Sequence, residues 1–316
     1  MINVGRRVVV RVPASVANLG SGFDAMGMAL NLYNLIELEE TGDGYKIEIT
    51  GEGDQVLPRD RSNLIAQAID RLFTVTSRQI SGWRLHTVNN IPLQSGLGSS
   101  AAAIVGGLVA ANAMAGYPLS LKQILTQAIA LEGHADNAAA ALLGGVVVIV
   151  PEENAATDDN GATFSYLYSR FNPPADLVVY TVIPAFTVST SLARSILPEQ
   201  VSLKDAVFNL SRVAMLAMAL RDGEWDKLGT ALQDRIHQPY RAQLVPGLEE
   251  MLQAALLAGA YGAFLGGAGP SVAALGPPGS KAGEVIRKIF IAHGNEARVL
   301  ELQPSPQGAY AEISAL

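Results

Sequence analysis

In the stretch Pro92-Leu93-Gln94-Ser95-Gly96-Leu97-Gly98-Ser99-Ser100-Ala101-Ala102 two glycines bracket a leucine, two serines follow, and a small-residue run has helix character through about Ala115. Glycine lets backbone N–H groups turn toward a ligand with no Cβ in the way. Ser99 or Ser100 is placed to cap the helix start. A helix N-terminus gathers unpaired N–H donors and a partial positive charge, which suits phosphate. The loop therefore reads as an anion cradle, against the plainer alternative of a turn and a cap. No Gly-Lys-Ser/Thr closes it, so it is not a Walker A loop. Phosphate charge here must be met by backbone dipoles, a metal ion and residues from elsewhere.

A second group is Glu132-Gly133-His134-Ala135-Asp136-Asn137, set between apolar runs. Buried carboxylates are costly unless paired or bound to metal. Asp136 and Asn137 also suit a helix N-terminus as cap and first-turn acid. Zinc fits poorly, because no cysteine and no second histidine stand at ligand spacing. Two arginines follow: Arg194 in Ser189-Thr190-Ser191-Leu192-Ala193-Arg194 and Arg241 in Gln238-Pro239-Tyr240-Arg241. A guanidinium pairs bidentately with carboxylate, although a surface role is the commoner one for the residue type. Near the start, Pro13 to Asp24 is a loop of small residues in which Asn18 and Asp24 supply polar side chains. An Asx-rich turn would look the same.

These groups need elements to carry them. Arg7 to Val12 alternates as a strand that Pro13 is expected to stop. Leu30 to Glu39 and Tyr45 to Thr50 read as a strand pair around Thr41-Gly42-Asp43-Gly44. A helix opens near Asn63 and runs to about Thr76, with Asn63 as its cap. The strand Trp83 to Val88 leads into the glycine-rich loop. A helix over Leu119 to Leu131 precedes Glu132, and the strand Val146 to Val150 follows the acidic cluster. Polar Pro151 to Thr163 is the best linker. Beyond it come a strand over Leu177 to Ile183, a long helix over Val201 to Arg221, and helices near Gly247 to Ala258 and Ser280 to Ala292. Strands near Val272 to Leu275, Ala297 to Leu302 and Tyr310 to Ile313 complete a mixed α/β chain.

With 316 residues, 49% apolar and 16% charged, the chain can build a large core in one or two domains. The net charge of −7 and the lack of any basic stripe argue against nucleic acid. The absence of cysteine excludes disulfides and a thiol nucleophile, and fits a reducing cytoplasm. The first residues lack the pattern of a secretory signal. The most membrane-like run, Ser99 to Ala115, is short and rich in alanine and glycine, so a buried helix is expected and no membrane partner.

Pro92 through Ala101 resembles the ATP-binding motif of the GHMP kinases, Pro-x-x-x-Gly-Leu-Gly-Ser-Ser-Ala, at every fixed position. Pro13 to Asp24 resembles the substrate loop of the homoserine kinases in that family, Pro-x-Ser/Thr-x-Ala-Asn-Leu-Gly-x-Gly-Phe-Asp. Glu132 to Asn137 resembles their Glu-Gly-His-x-Asp-Asn segment, and Thr190 to Arg194 and Gln238 to Arg241 their arginine segments. Leu265-Gly266-Gly267-Ala268-Gly269-Pro270-Ser271 resembles the third GHMP motif, with Gly266 where a serine is usual.

The resemblance implies a two-domain GHMP kinase fold. Residues 1–155 would form a ribosomal-S5-like, ATP-binding domain, and residues 156–316 a ferredoxin-like domain. It implies phosphoryl transfer from ATP to the hydroxyl of L-homoserine, in threonine biosynthesis, by a cytoplasmic homodimer. ATP would meet Asn63, the loop Pro92 to Ala102, Gly267 and Gly269. Mg²⁺ would be held by Ser100 (or Ser99) and Glu132. Asn18, Asp24, His134, Asn137, Arg194 and Arg241 would hold the substrate, with Asp136, Asn137 and Arg194 acting in catalysis. The alternatives are a mevalonate-type kinase or a non-catalytic metabolite binder on the same fold.

Overall fold

The computed structural model describes residues 5–152 and 165–315. All of the expected linker after Glu152 lies outside them. In chain order the elements are β1 (Arg6–Ala17), β2 (Met26–Glu40), β3 (Gly44–Gly51), α1 (Leu64–Val75), β4 (Gly82–Asn89), α2 (Ser99–Met114), α3 (Leu121–Glu132), α4 (Ala135–Leu143), β5 (Val146–Glu152) and β6 (Ser165–Phe171). There follow β7 (Val178–Pro184), α5 (Thr190–Ser195), α6 (Leu203–Asp222), α7 (Leu228–Ala231), α8 (Gln238–Arg241), α9 (Leu248–Leu257), β8 (Gly262–Leu265), β9 (Val272–Gly276), α10 (Ala282–Ala292), β10 (Ala297–Leu302) and β11 (Tyr310–Ala315).

The first sheet has the order β11-β1-β2-β4-β3, with β5 joined to β2 and β6 to β5. Val8, Val10 and Val12 of β1 alternate into its core. Pro13 does not end β1. The strand runs on to Ala17, and its register against β2 shifts between Pro13 and Ala14, so that the proline sits at an irregularity. The expected β2–β3 pair does not form either. β4 runs antiparallel to β2 from Leu35↔Val88 to Glu40↔Trp83 and buries Trp83 and Leu85. β3, with Tyr45 exposed, is left parallel to β4 at the edge. The more apolar strand takes the central position.

α2 is the buried hub. Its small residues are apolar on all sides, and almost every one of them from Ala101 to Met114 is buried. At Gly106 a Cβ would lie 2.2 Å from Ile36 Cδ1, and at Gly107 2.8 Å from the Ile65 carbonyl oxygen. Only hydrogen at those points lets sheet and α1 approach. No helix among the described residues is long and apolar enough to cross a membrane.

The second sheet, β10-β7-β9-β8, is antiparallel throughout. Its strands in chain order lie fourth, first, third, second, with α9 and α10 packed on it, which is the ferredoxin-like arrangement. The two halves interleave. The division between residues 155 and 156 falls between β5 and β6, which pair from Val146↔Phe171 to Glu152↔Ser165. β11 likewise returns to the first sheet beside β1.

Candidate active site

Three chain segments deliver the polar groups to one place. α3 begins with a capping box between Ser120 and Gln123 and ends at Gly133, whose φ of 80° reverses the chain. Glu132 is therefore the last residue of one helix, and Asp136 and Asn137 lie in the first turn of the next. The loop after β1 holds Asn18, Leu19 and Asp24 at φ of 71°, 45° and 56°, left-handed values that non-glycine residues adopt at a cost of order 1–3 kcal/mol each. Asn18 secures that shape. Its Oδ1 accepts the Asp24 N–H at 3.0 Å, and its Nδ2 donates to the Gly267 carbonyl at 3.0 Å.

These segments, the glycine-rich loop and the arginines line one cleft of about 250 Å³. Asn18, Asp24, Gln94, Ser95, Gly96, Gly98, Ser99, Ser100, Glu132, His134, Asp136, Asn137, Arg194, Arg241, Gly267 and Gly269 all face it, so most of the sequence-derived set converges. Others do not. Leu97, Ala101 and Ala102 are core side chains, able to offer only backbone. Pro92 and Leu93 line a neighbouring cavity. Asn63 caps α1 by accepting the Ile65 N–H at 2.9 Å and donates to the Pro58 carbonyl at 2.9 Å. It faces a small separate cavity of about 50 Å³ with Leu93 and Ser99.

The start of α2 differs from expectation in a way that matters. Neither Ser99 nor Ser100 caps it. Gly98 is the N-cap, at φ 67° and with no side-chain cap bond. The first-turn N–H groups of α2 thus lack the side-chain acceptor that a serine cap would supply. A Cβ at Gly98 would lie 2.1 Å from Ser15 Oγ, and one at Gly96 2.2 Å from the Gly266 carbonyl oxygen. The loop is glycine because other chain segments press on it. Gly266 has a similar reason: a Cβ there would stand 2.6 Å from the hydroxyl of buried Ser271. Ser271 has taken the space that a serine at 266 would need.

Ser100 Oγ donates to Glu132 Oε2 at 2.6 Å, which singles out Ser100 over Ser99 as the hydroxyl beside that carboxylate. Burial pushes the Glu132 carboxyl up, against the pull of the Ser100 hydroxyl. A half-buried carboxylate and a hydroxyl at the mouth of an anion cradle are two hard-oxygen donors of the kind that Mg²⁺ takes alongside phosphate and water oxygens. Ser15 Oγ donates to Asn137 Oδ1 at 2.9 Å and so orients that amide. Asp136 is 3% exposed; burial and the nearby charge of Asp24 push its pKa up to about 7.

The arginines are already engaged. Arg194 Nη2 meets both oxygens of Asp24, at 2.7 and 2.9 Å, and its Nε donates to His134 Nε2 at 2.6 Å. Burial and Arg194 hold His134 below its ordinary value, in keeping with an accepting ring nitrogen. Arg241, 2% exposed, donates from Nε to the Ala193 carbonyl at 3.1 Å and from Nη1 to the Gly267 carbonyl at 2.9 Å. Burial and Arg194 lower its pKa to about 10. Sequence reasoning passed over Ser15, Phe23 and His237. Ser15 and Phe23 lie inside the Pro13 to Asp24 segment, and the four-residue spacing of His237 and Arg241 was the signal for the third.

An open helix N-terminus beside an acid–hydroxyl pair and a cationic receptor defines the class as a small-molecule phosphotransferase. Residues 63–145 match the GHMP kinases N terminal domain and residues 216–296 the GHMP kinases C terminal domain. The chain is 41% identical over 302 residues to a homoserine kinase of Carboxydothermus hydrogenoformans, covering 96% of each chain. It is 42% identical over 302 residues to one of Moorella thermoacetica, covering 95% of this chain and 98% of that one. The crystal structure of homoserine kinase from Cytophaga hutchinsonii superposes with a TM-score of 0.83 at 32% identity, over 97% of both chains. A Methanococcus jannaschii mevalonate kinase shares the fold alone, at TM-score 0.66 and 14% identity. The chain belongs to the GHMP kinase family, and its fold is the two-domain GHMP fold expected from the motifs.

Proposed function

We propose that the cleft transfers the γ-phosphoryl group of ATP to the side-chain hydroxyl of L-homoserine, giving O-phospho-L-homoserine for threonine synthesis. The observation that carries this is the Asp24–Arg194 pair, with Arg241 behind it, facing the open N-terminus of α2. An α-amino acid brings a carboxylate and an ammonium together. Arg194 and Arg241 suit the first, and Asp24 the second. The names of the full-length relatives agree. A mevalonate-type acceptor has no ammonium and gives Asp24 no partner. A non-catalytic binder would have no need of the Ser100–Glu132 pair.

Phosphoryl transfer depends mostly on positioning and on neutralising charge. The backbone of Gly96 to Ser100, with Gly267 and Gly269, receives the phosphates. Ser100 and Glu132 would hold Mg²⁺, which when bound supplies positive charge to the phosphate oxygens. His134 holds Arg194 in place, and Asn18 ties the substrate loop to Gly267. Asn137, turned by Ser15, directs its amide at the acceptor hydroxyl. Asp136, with its raised pKa, is suited to take the hydroxyl proton at neutral pH. Asn63 contributes to base binding only if its cavity widens, because about 50 Å³ does not admit a purine. Residues 1–155 are the nucleotide half in chain terms and 156–316 the other, in a cytoplasmic homodimer.

The test is ADP release with Mg-ATP and L-homoserine, mevalonate, galactose or no acceptor. Turnover confined to L-homoserine is expected. Turnover on another acceptor would overturn the substrate, and ATP binding without turnover would favour the non-catalytic alternative.

A further inference from the structure

His237 is completely buried and belongs to no part of the chemistry above. Its surroundings are built in detail. The Asp234 carboxylate accepts the N–H groups of Ile236, His237 and Gln238 at 2.9, 2.9 and 2.6 Å. It also accepts the Asn209 amide of α6 at 2.7 Å. These bonds fix the turn that leads into α8 and so fix the imidazole.

Asp234 Oδ2 lies 3.6 Å from Nε2, and the two ring nitrogens make closer contacts of opposite kind. Nε2 lies 2.8 Å from the Gly20 carbonyl oxygen, which can only accept. Nδ1 lies 3.3 Å from Arg241 Nη1, which can only donate. The ring must therefore be neutral, with its proton on Nε2 and its lone pair on Nδ1 toward the arginine. One face stacks on Phe23, with centroids 5.1 Å apart and planes 22° apart. The guanidinium carbons of Arg194 and Arg241 lie 5.7 and 5.3 Å from the centre of that same phenyl ring.

We propose that His237 is a positioning residue for the acceptor amino acid: with its ring held at Gly20, its Nδ1 accepts from Arg241 and sets the direction in which that guanidinium meets the carboxylate. With Nη1 shared between His237 and Gly267, and Nε on Ala193, none of these contacts uses Nη2. That nitrogen is the one presented to a ligand. The inference rests on Arg241 being a carboxylate receptor, as proposed above.

A protonated ring would have no acceptor for Arg241 and would place a second cation against it. The charged groups facing the ring are Asp234 from its own turn, Arg241 on α8 and Asp24 on the substrate loop. Burial is the strongest influence and lowers the pKa, so the bridge stays intact through neutral pH and fails only on acidification.

Two amide variants divide the bridge. Asparagine can place an acceptor near the position of Nδ1 but cannot reach Gly20. Glutamine can place a donor near that of Nε2 but offers Arg241 nothing. His237→Gln is expected to raise the acceptor KM about tenfold, with kcat changed less than about threefold and the ATP KM unchanged. His237→Asn is expected to keep the acceptor KM within about threefold of the parent. A folded glutamine variant with the parental acceptor KM would overturn the proposal, as would equal losses in both variants. Nitrogen-15 NMR of the ring in the unsubstituted protein is a second test that needs no variant and no substrate. The Nε2–H tautomer is expected at pH 7, and an Nδ1–H or doubly protonated ring would sink the idea. If L-homoserine is not turned over at all, the substrate assignment falls while the ring measurement still decides this bridge.

Discussion

Asp24 and Arg194 form an ion pair in which one guanidinium nitrogen meets both carboxylate oxygens, at 2.7 and 2.9 Å. Both side chains are about two-fifths exposed, at 42% and 38%. A pair so open to solvent is worth only about 0–1 kcal/mol in stability. Its arrangement suits the exchange that the proposed function requires, in which the carboxylate of an amino acid would replace Asp24 at the arginine and the ammonium would take the freed aspartate. Asp24→Asn should therefore leave the melting temperature nearly unchanged and raise the acceptor KM by about tenfold or more. Arg194→Lys removes the planar fork and should lower kcat/KM for the acceptor about a hundredfold, with the ATP KM unchanged. Equal damage to both substrates would contradict this exchange.

Glu132→Gln keeps the shape of the Ser100 contact and removes the charge. The concentration of Mg²⁺ giving half-maximal rate should rise about tenfold or more. Burial pushes the Glu132 carboxyl up, so the charged form is disfavoured without a cation. The magnesium-free variant should accordingly melt no lower than the parent. A parental magnesium titration would remove Glu132 from the metal site.

Asp136 gives a pH signature whose sign can be worked out. Its pKa is about 7 in the folded protein and 3.8 in the reference state, so the folded state binds the extra proton between those values. Stability from this group is complete below 3.8 and is lost as pH rises through about 7. Asp136→Asn should flatten that part of the stability profile. If the carboxylate also takes the hydroxyl proton, kcat should fall about a hundredfold or more. Retention of most of the turnover would leave Asp136 a structural acid only.

Gly266 and Ser271 compete for one space. The Ser271 hydroxyl is buried and has no hydrogen-bond partner among the described residues, so Ser271→Ala should be neutral or slightly stabilising. Gly266→Ser puts a Cβ 2.6 Å from that hydroxyl and should cost about 1–3 kcal/mol. In the double variant most of that loss should vanish. Additive effects in chemical denaturation would mean that the two positions do not share the space.

Much of this was legible in the linear chain because it is local. Phosphate cradles need glycines and a helix start within a few residues, and Gly96 to Ser100 supplies both. Glu132, His134, Asp136 and Asn137 lie within a single helix–turn–helix, so their nearness is a property of spacing. Val8, Val10 and Val12 show a strand by alternation, and the helix expected over Leu119 to Leu131 forms as Leu121–Glu132.

What the chain could not reveal by itself is which partner each group would find. β2 and β3 are joined by a short turn, yet β4 separates them, because burying Trp83 and Leu85 outweighs the easy hairpin. Gly98 rather than a serine became the cap of α2 because Ser15, on a strand far back in the sequence, occupies the space around it. Arg194 lies 170 residues from Asp24, and His237 lies 217 from Gly20. Those pairings arise only when two sheets close on one loop. Sequence determined the kinds of chemistry available, since residue type and short-range geometry set them. Tertiary structure decided which charges face each other, since long-range packing fixes distances that no local rule contains.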